Sequence, residues 1–190
     1  MVSSFVYHLI AKYTEGNEKL RQILTVHSEM VARKALEIVE QRGLSDKVDI
    51  QFLEDASMLH DIGIVRVDAP SIHCYGTEPY IRHGITGAEI LKTEGLPEEF
   101  QRVCMRHTGS GITAEEIMMQ KLPLPAEDLI PETLEERLIC YADKFFSKSR
   151  DLRYEKKFEE IERSMRKFGE KAFSRFMELR MEFAGKAAIQ

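Results

Sequence analysis

Ser57-Met58-Leu59-His60-Asp61-Ile62-Gly63 is the stretch on which the reading of this chain turns. An apolar helical run reaches it from Phe52, sets a histidine beside an aspartate, and is halted by a glycine just beyond them. A neutral imidazole and a carboxylate are half of a site for a hard or borderline divalent cation. Adjacent His and Asp also arise by chance, so the meaning of the pair depends on whether further ligands lie at suitable places.

Working outward, Asp49 is the expected N-cap of a helix from Ile50 to His60. Phe52, Leu53, Ala56, Leu59 and His60 recur at spacings of three and four, which puts the pair at the buried C-terminal end. From Gly63 to Tyr80 the periodicity disappears, and two prolines, a glycine and several polar residues intervene. A loop of that length is functional or disordered as a rule, and its apolar and aromatic content predicts an ordered lid.

On the N-terminal side, helices are expected from Ser4 to Tyr13 and from Glu18 to about Gln41, closed by Gly43. The inward stripe of the longer one, Leu20, Ile23, Leu24, His27, Met30, Val31, Ala35 and Ile38, carries His27 near its middle. His27 is compatible with a core histidine satisfied by one hydrogen bond and with a ligand. On the C-terminal side, helices are expected over Arg82 to Glu94 and from Pro97 to His107, with Pro97 in the first turn. His83 and His107 thus fall near the ends of short helices. Thr113 and Glu116 form a capping box for a short helix to about Gln120. After a proline-punctuated connector, a helix from Glu132 to about Lys148 places Asp143 in register with Ile139 and Phe146, on the core face. A buried carboxylate needs a cation, a metal or several donors.

The 190 residues are 43% hydrophobic and 31% charged, an ordinary globular composition that fits one domain with an appendage. The net charge of −5 gives no global footprint for duplex nucleic acid. Lys12 ends the first apolar run too early for a signal peptide or membrane span, so a cytoplasmic location and no membrane partner are expected. Cys74, Cys104 and Cys140 form no CxxC pair and suggest neither disulfides nor a thiolate site. No stretch alternates at strand period, so the expected class is all-α. Residues 1–150 form the expected main bundle, with its core at about 18–150. Residues 151–190 alternate charge with large apolar groups and read as two amphipathic helices split at Gly169. Their apolar face either caps the bundle or joins two subunits in a homo-oligomer.

Collected in order, His27, His60, Asp61, His83, His107 and Asp143 lie on successive helices, facing inward or at helix ends. With His27 in Val-His-Ser-Glu, the His60-Asp61-Ile62-Gly63 run, Arg82-His83-Gly84, Arg106-His107-Thr108-Gly109 and Tyr141-Ala142-Asp143-Lys144, the chain resembles the HD-domain metal-dependent phosphohydrolases over roughly residues 18–150. The resemblance implies an HD-domain helical bundle in which His27, His60, Asp61 and Asp143 hold one divalent metal. His83 and His107 then allow a second, with Asp61 bridging the two. Ligands of nitrogen and oxygen without thiolate suit iron, manganese or a similar ion.

The same resemblance implies metal-assisted hydrolysis of a phosphoester or phosphoanhydride, with His60 and Asp61 at the catalytic centre and a small phosphorylated substrate, nucleotides foremost. Arg66, Arg82, Arg106 and Lys144 lie near the ligands in sequence, each either a phosphate clamp or a solvated surface charge. His73, in the long loop, is either a substrate contact or a surface histidine. Cyclic-dinucleotide phosphodiesterases of the superfamily carry a lysine soon after the pair and a Gly-Tyr-Pro signature, whereas this chain has Ile64 and no such tripeptide. The guanosine tetraphosphate hydrolases follow the pair with an acidic dipeptide, where Arg66-Val67-Asp68 stands here. The six-ligand set is similar to that of small diadenosine tetraphosphate hydrolases, but the Ile72-His73-Cys74-Tyr75 loop departs from them, and a small uncharacterised HD-domain group is the better match. The alternative is a metal- and nucleotide-binding regulator without turnover.

Overall fold

The structure, a computed structural model, describes residues 1–149 and 151–184. Arg150 and the last six positions of the expected extension lie outside that range. Among the described residues the chain is all-α apart from one pair of two-residue strands.

Helix α1 (Ser4–Tyr13) leads into α2 (Glu18–Arg42), which starts where the Asn17 side chain accepts the Leu20 amide and ends at Gly43. Its buried stripe runs from Leu20 through Leu24, His27, Val31 and Ala35 to Ile38 and packs on α3 (Ile50–Leu59) and α7 (Leu134–Asp143). Asp49 caps α3 through the Phe52 amide, as its position in the sequence requires.

Gly63 does not act as a helix stop. A 3-10 turn, Ile62–Arg66, follows the His-Asp pair directly, and Gly63 is buried inside it. A Cβ there would lie 2.0 Å from the His83 carbonyl oxygen and 2.3 Å from the Gly87 nitrogen, so the glycine is needed for close approach to α4 (His83–Thr93). At Gly84 a Cβ would meet the Cys104 carbonyl oxygen at 2.4 Å, which lets α4 sit equally close to α5 (Glu98–Arg106). Pro97 is the N-cap of α5, one position earlier than the sequence suggests.

The 63–80 segment is ordered: Ile64, Val67, Ile72 and Cys74 are buried in the main core. It contains the strand pair β1 (Asp68–Ala69) and β2 (Cys74–Tyr75), antiparallel and too short for alternation to show in the sequence. Helix α6 (Ala114–Gln120) begins at the expected Thr113–Glu116 capping box. A second box, Thr133 with Glu136, starts α7.

Helix α7 ends at Asp143, five residues short of the expected end. The amides of Lys144, Phe145 and Phe146 turn back to the carbonyls of Tyr141, Ala142 and Asp143, tightening the chain into a turn. That turn brings Lys148 back toward Asp61. Helices α8 (Phe158–Arg166) and α9 (Glu170–Phe183) break at Gly169, whose φ of +102° disfavours a side chain. Phe176 and Phe183 pack against Tyr141 of α7, and Ile161 and Met165 join the same apolar core. No helix among the described residues is long and apolar enough to cross a membrane.

Candidate metal centre

Three of the four site histidines use one local device. His60 caps the C-terminus of α3, His107 that of α5, and His83 follows the 3-10 turn Tyr80–Arg82. The last turn of a helix leaves carbonyls without amide partners. Each Nδ1 lies on the carbonyl three residues earlier: His60 on Ser57 at 2.6 Å, His83 on Tyr80 at 2.7 Å, and His107 on Cys104 at 2.7 Å. A carbonyl only accepts, so each Nδ1 carries the proton and each Nε2 presents a lone pair to the interior, the arrangement of metal-ligating histidines. His27 comes from the middle of α2 and points its Nε2 to the same place.

All six candidate ligands converge. One donor group is His27, His60, Asp61 and Asp143, and the other is Asp61, His83 and His107. Asp61 belongs to both, with a different oxygen in each. Its Oδ2 is 3.1 Å from His27 Nε2 and 2.9 Å from His60 Nε2, whereas its Oδ1 is 3.6 Å from His83 Nε2 and 3.4 Å from His107 Nε2. Asp143 Oδ1 is 3.0 Å from His27 Nε2 and 3.5 Å from His60 Nε2.

The donor set fits divalent cations. His83 Nε2 and His107 Nε2 stand 3.0 Å apart, two lone pairs facing each other. That distance is the spacing of adjacent ligands on an ion with bonds of about 2.1 Å. His60 Nε2 and both Asp61 oxygens are buried without a well-oriented hydrogen bond, and native interiors rarely leave such groups unmatched.

The electrostatics of the site favour a cation, a proton or a metal ion, beside its carboxylates. Burial alone would lower the His60 imidazole, but the Asp61 and Asp143 carboxylates outweigh it and raise it to about 9. Burial and then the facing His107 bring His83 down to about 3. Burial opposes ionisation of Asp61 and Asp143, yet Lys148, Lys144 and the histidines hold both carboxyls well below the usual range. Asp143 is the last residue of α7, where the helix dipole disfavours a negative charge. Lys144 Nζ, 2.7 Å from Asp143 Oδ2, offsets that cost.

The centre opens into a cavity of about 520 Å³ that reaches His83, His107 and Asp143. Ser71, Ile72, Tyr80 and Ile81 of the 63–80 segment and its exit form one side, so the expected lid is a wall of the cavity. Lys144, Lys148 and Lys156 line it too. Of the side chains proposed from sequence to meet substrate, Lys144 alone is there. Arg66 lies on Glu89 at 3.2 Å, Arg82 on Glu78 at 2.6 Å, and Arg106 between Glu132 and Glu136 at 2.8 and 3.0 Å. None of the three lines the cavity, and neither does His73, whose Nδ1 is 3.2 Å from the Tyr75 hydroxyl. Proximity in sequence does not bring these four to the cavity, and each is engaged by the partner named above. Lys148, which the sequence reading passed over, has its Nζ 2.6 Å from Asp61 Oδ2.

A profile of the HD domain matches residues 24–147. The chain belongs to the HD-domain family. Over 134 residues this HD-domain protein is 34% identical to a tRNA (cytidine(56)-2'-O)-methyltransferase of Picrophilus torridus, a match spanning 70% of this chain and 34% of that protein. An uncharacterized protein of Methanocaldococcus jannaschii is 38% identical over 97 residues, 51% of this chain and 50% of the relative. A second tRNA (cytidine(56)-2'-O)-methyltransferase, from Thermoplasma volcanium, is 33% identical over 105 residues, 55% of this chain and 27% of its own length. The chain therefore spans half or less of each of these relatives. The HD domain of the L. monocytogenes phosphodiesterase PgpH shares the fold, with a TM-score of 0.53 over 95% of this chain and 86% of that one at 16% identity.

Proposed function

We propose that this HD-domain protein is a metal-dependent phosphohydrolase that cleaves a phosphoester or phosphoanhydride of a nucleotide or another small phosphorylated molecule. The observation that carries the reading is the pair of donor groups joined through the two oxygens of Asp61, opening into a cavity that three lysines line. Iron, manganese or a similar ion suits this nitrogen and oxygen set. His27, His60, Asp61 and Asp143 would hold one ion, and Asp61, His83 and His107 a second. When bound, such ions supply the Lewis acidity that polarises a phosphoryl group and acidifies water.

The chain's own residues do the rest. The backbone carbonyls on His60, His83 and His107 fix the imidazole orientation, so that the site is preformed. Burial would lower the Lys148 ammonium, but the ionised Asp61 and its neighbours outweigh this and raise it. Lys144 remains charged beside Asp143 for the same reason. Both then neutralise charge that builds on phosphoryl oxygens rather than donate a proton. The overlap with two proteins named for tRNA methylation is consistent with a nucleotide-type substrate.

Elemental analysis together with phosphate release from nucleotides and dinucleoside polyphosphates tests the proposal. The expected result is stoichiometric transition metal and release that stops on chelation. Bound metal with tight nucleotide binding and no release would favour a regulator without turnover. Absence of stoichiometric metal would sink both readings.

A further inference from the structure

A second cavity, of about 290 Å³, lies beside the first, between the 108–112 turn, α6 and the start of α9. Ile81, Thr108, Gly109 and Phe168 line both, so the two cavities share a border. At Gly109, on that border, a Cβ would meet nothing within 4 Å. The volumes are of the order of small-molecule sites, about 300 to 1,000 Å³.

The two ends differ in charge. Three lysines line the metal end, two of them beside the carboxylates Asp143 and Asp61, whereas the second cavity has a single pair of charged groups, Glu116 and Arg175, 2.8 Å apart. The remaining walls there are apolar, chiefly Ile112, Leu122 and Ala172. Gln120 adds an amide that both donates and accepts. On the rim shared by both cavities stands Phe168, 58% exposed although large and apolar. An aromatic face left open beside a cavity lined with lysines suits stacking with a flat ring.

We infer that the second cavity is the subsite for the nucleobase of a nucleoside phosphate whose phosphoryl end lies over the metal centre. The inference rests on the phosphohydrolase reading for the direction in which the substrate lies. A saturated chain of similar volume would gain little from the Phe168 face.

Calorimetric titration of the full chain, with manganese and separately in EDTA where no turnover occurs, tests this with adenosine, guanosine, cytidine and uridine 5′-monophosphates against ribose 5-phosphate. At least one nucleotide should bind about tenfold more tightly than the sugar phosphate, the scale of one base stack. Phe168→Ala, at an exposed position, should remove most of that preference, lowering nucleotide affinity far more than ribose 5-phosphate affinity. Ala172→Leu, which fills the subsite, should do the same. Equal affinity for all five ligands, or a preference that both variants retain, overturns the inference. A preference that depends on Phe168 without phosphate release in manganese would leave the subsite standing and defeat the hydrolytic reading. Release from nucleotides and ribose 5-phosphate at equal kcat/KM, with no binding preference, would do the reverse.

Discussion

Asp61 divides its two oxygens between two pairs of imidazoles, and that division gives single residues distinct consequences. Lys148→Met keeps most of the length of the side chain and removes its charge, and should lower kcat/KM by about a hundredfold, the scale of one lost electrostatic donor. Arg66→Ala removes an exposed ion pair with Glu89 and should leave kcat/KM within about twofold and stability within about 0.5 kcal/mol. Steady-state kinetics on both variants checks this, and a large loss in Arg66→Ala would mean that substrate reaches beyond the cavity. The six candidate ligands were legible in the sequence because each is a His or Asp on an inward stripe or at a helix end. Lys148 was not, because extending α7 through it hides the turn that carries it to Asp61.

At the scale of elements, the helix order and most boundaries follow from caps and periodicity: Asp49, Gly43, the Thr113–Glu116 box and the break at Gly169 lie where the residues demand. What sequence spacing does not show is how closely elements approach. Gly63 reads as a helix stop, yet its role is contact with α4. Gly63→Ala places a Cβ against backbone on two sides and should cost about 1–3 kcal/mol in urea unfolding. It should also weaken metal binding by shifting His83 away from Asp61; unchanged stability and metal affinity would contradict this packing account. Glu116 ties α6 to α9 through Thr113 and Arg175. Burial opposes its ionisation, but these donors prevail and depress its pKa below 4.5. Its contribution is thus fully present above pH 4.5, the unfolded value, and is lost as pH falls through the lower folded value. Glu116→Gln should therefore cost about 1 kcal/mol at neutral pH, and the gap from wild type should close in strongly acidic buffer. A pH-independent gap would show that the carboxylate charge is not involved.

For the whole molecule, the apolar face of the C-terminal helices had two readings, a cap or a subunit contact. The burial of Phe176 and Phe183 against Tyr141 shows that much of this face is covered within the chain. Composition could not decide that, because amphipathic periodicity identifies an apolar face without its partner. Any metal that the buried carboxylates and imidazoles hold would couple to folding. At free metal about a thousandfold above Kd, binding to the native state alone contributes about 4 kcal/mol, so excess chelator should lower the thermal midpoint by several degrees. An unchanged midpoint would mean that the centre is held by protein contacts alone.

The central claim is that Asp61 joins two ion sites, one completed by His27, His60 and Asp143 and the other by His83 and His107. Metal content per folded chain, measured by mass spectrometry after equilibration with manganese or iron, tests it most directly. The predicted result is about two ions in the unaltered protein, one after joint replacement of His83 and His107 by alanine, and none in Asp61→Ala. Retention of the full metal content by folded Asp61→Ala would contradict the account.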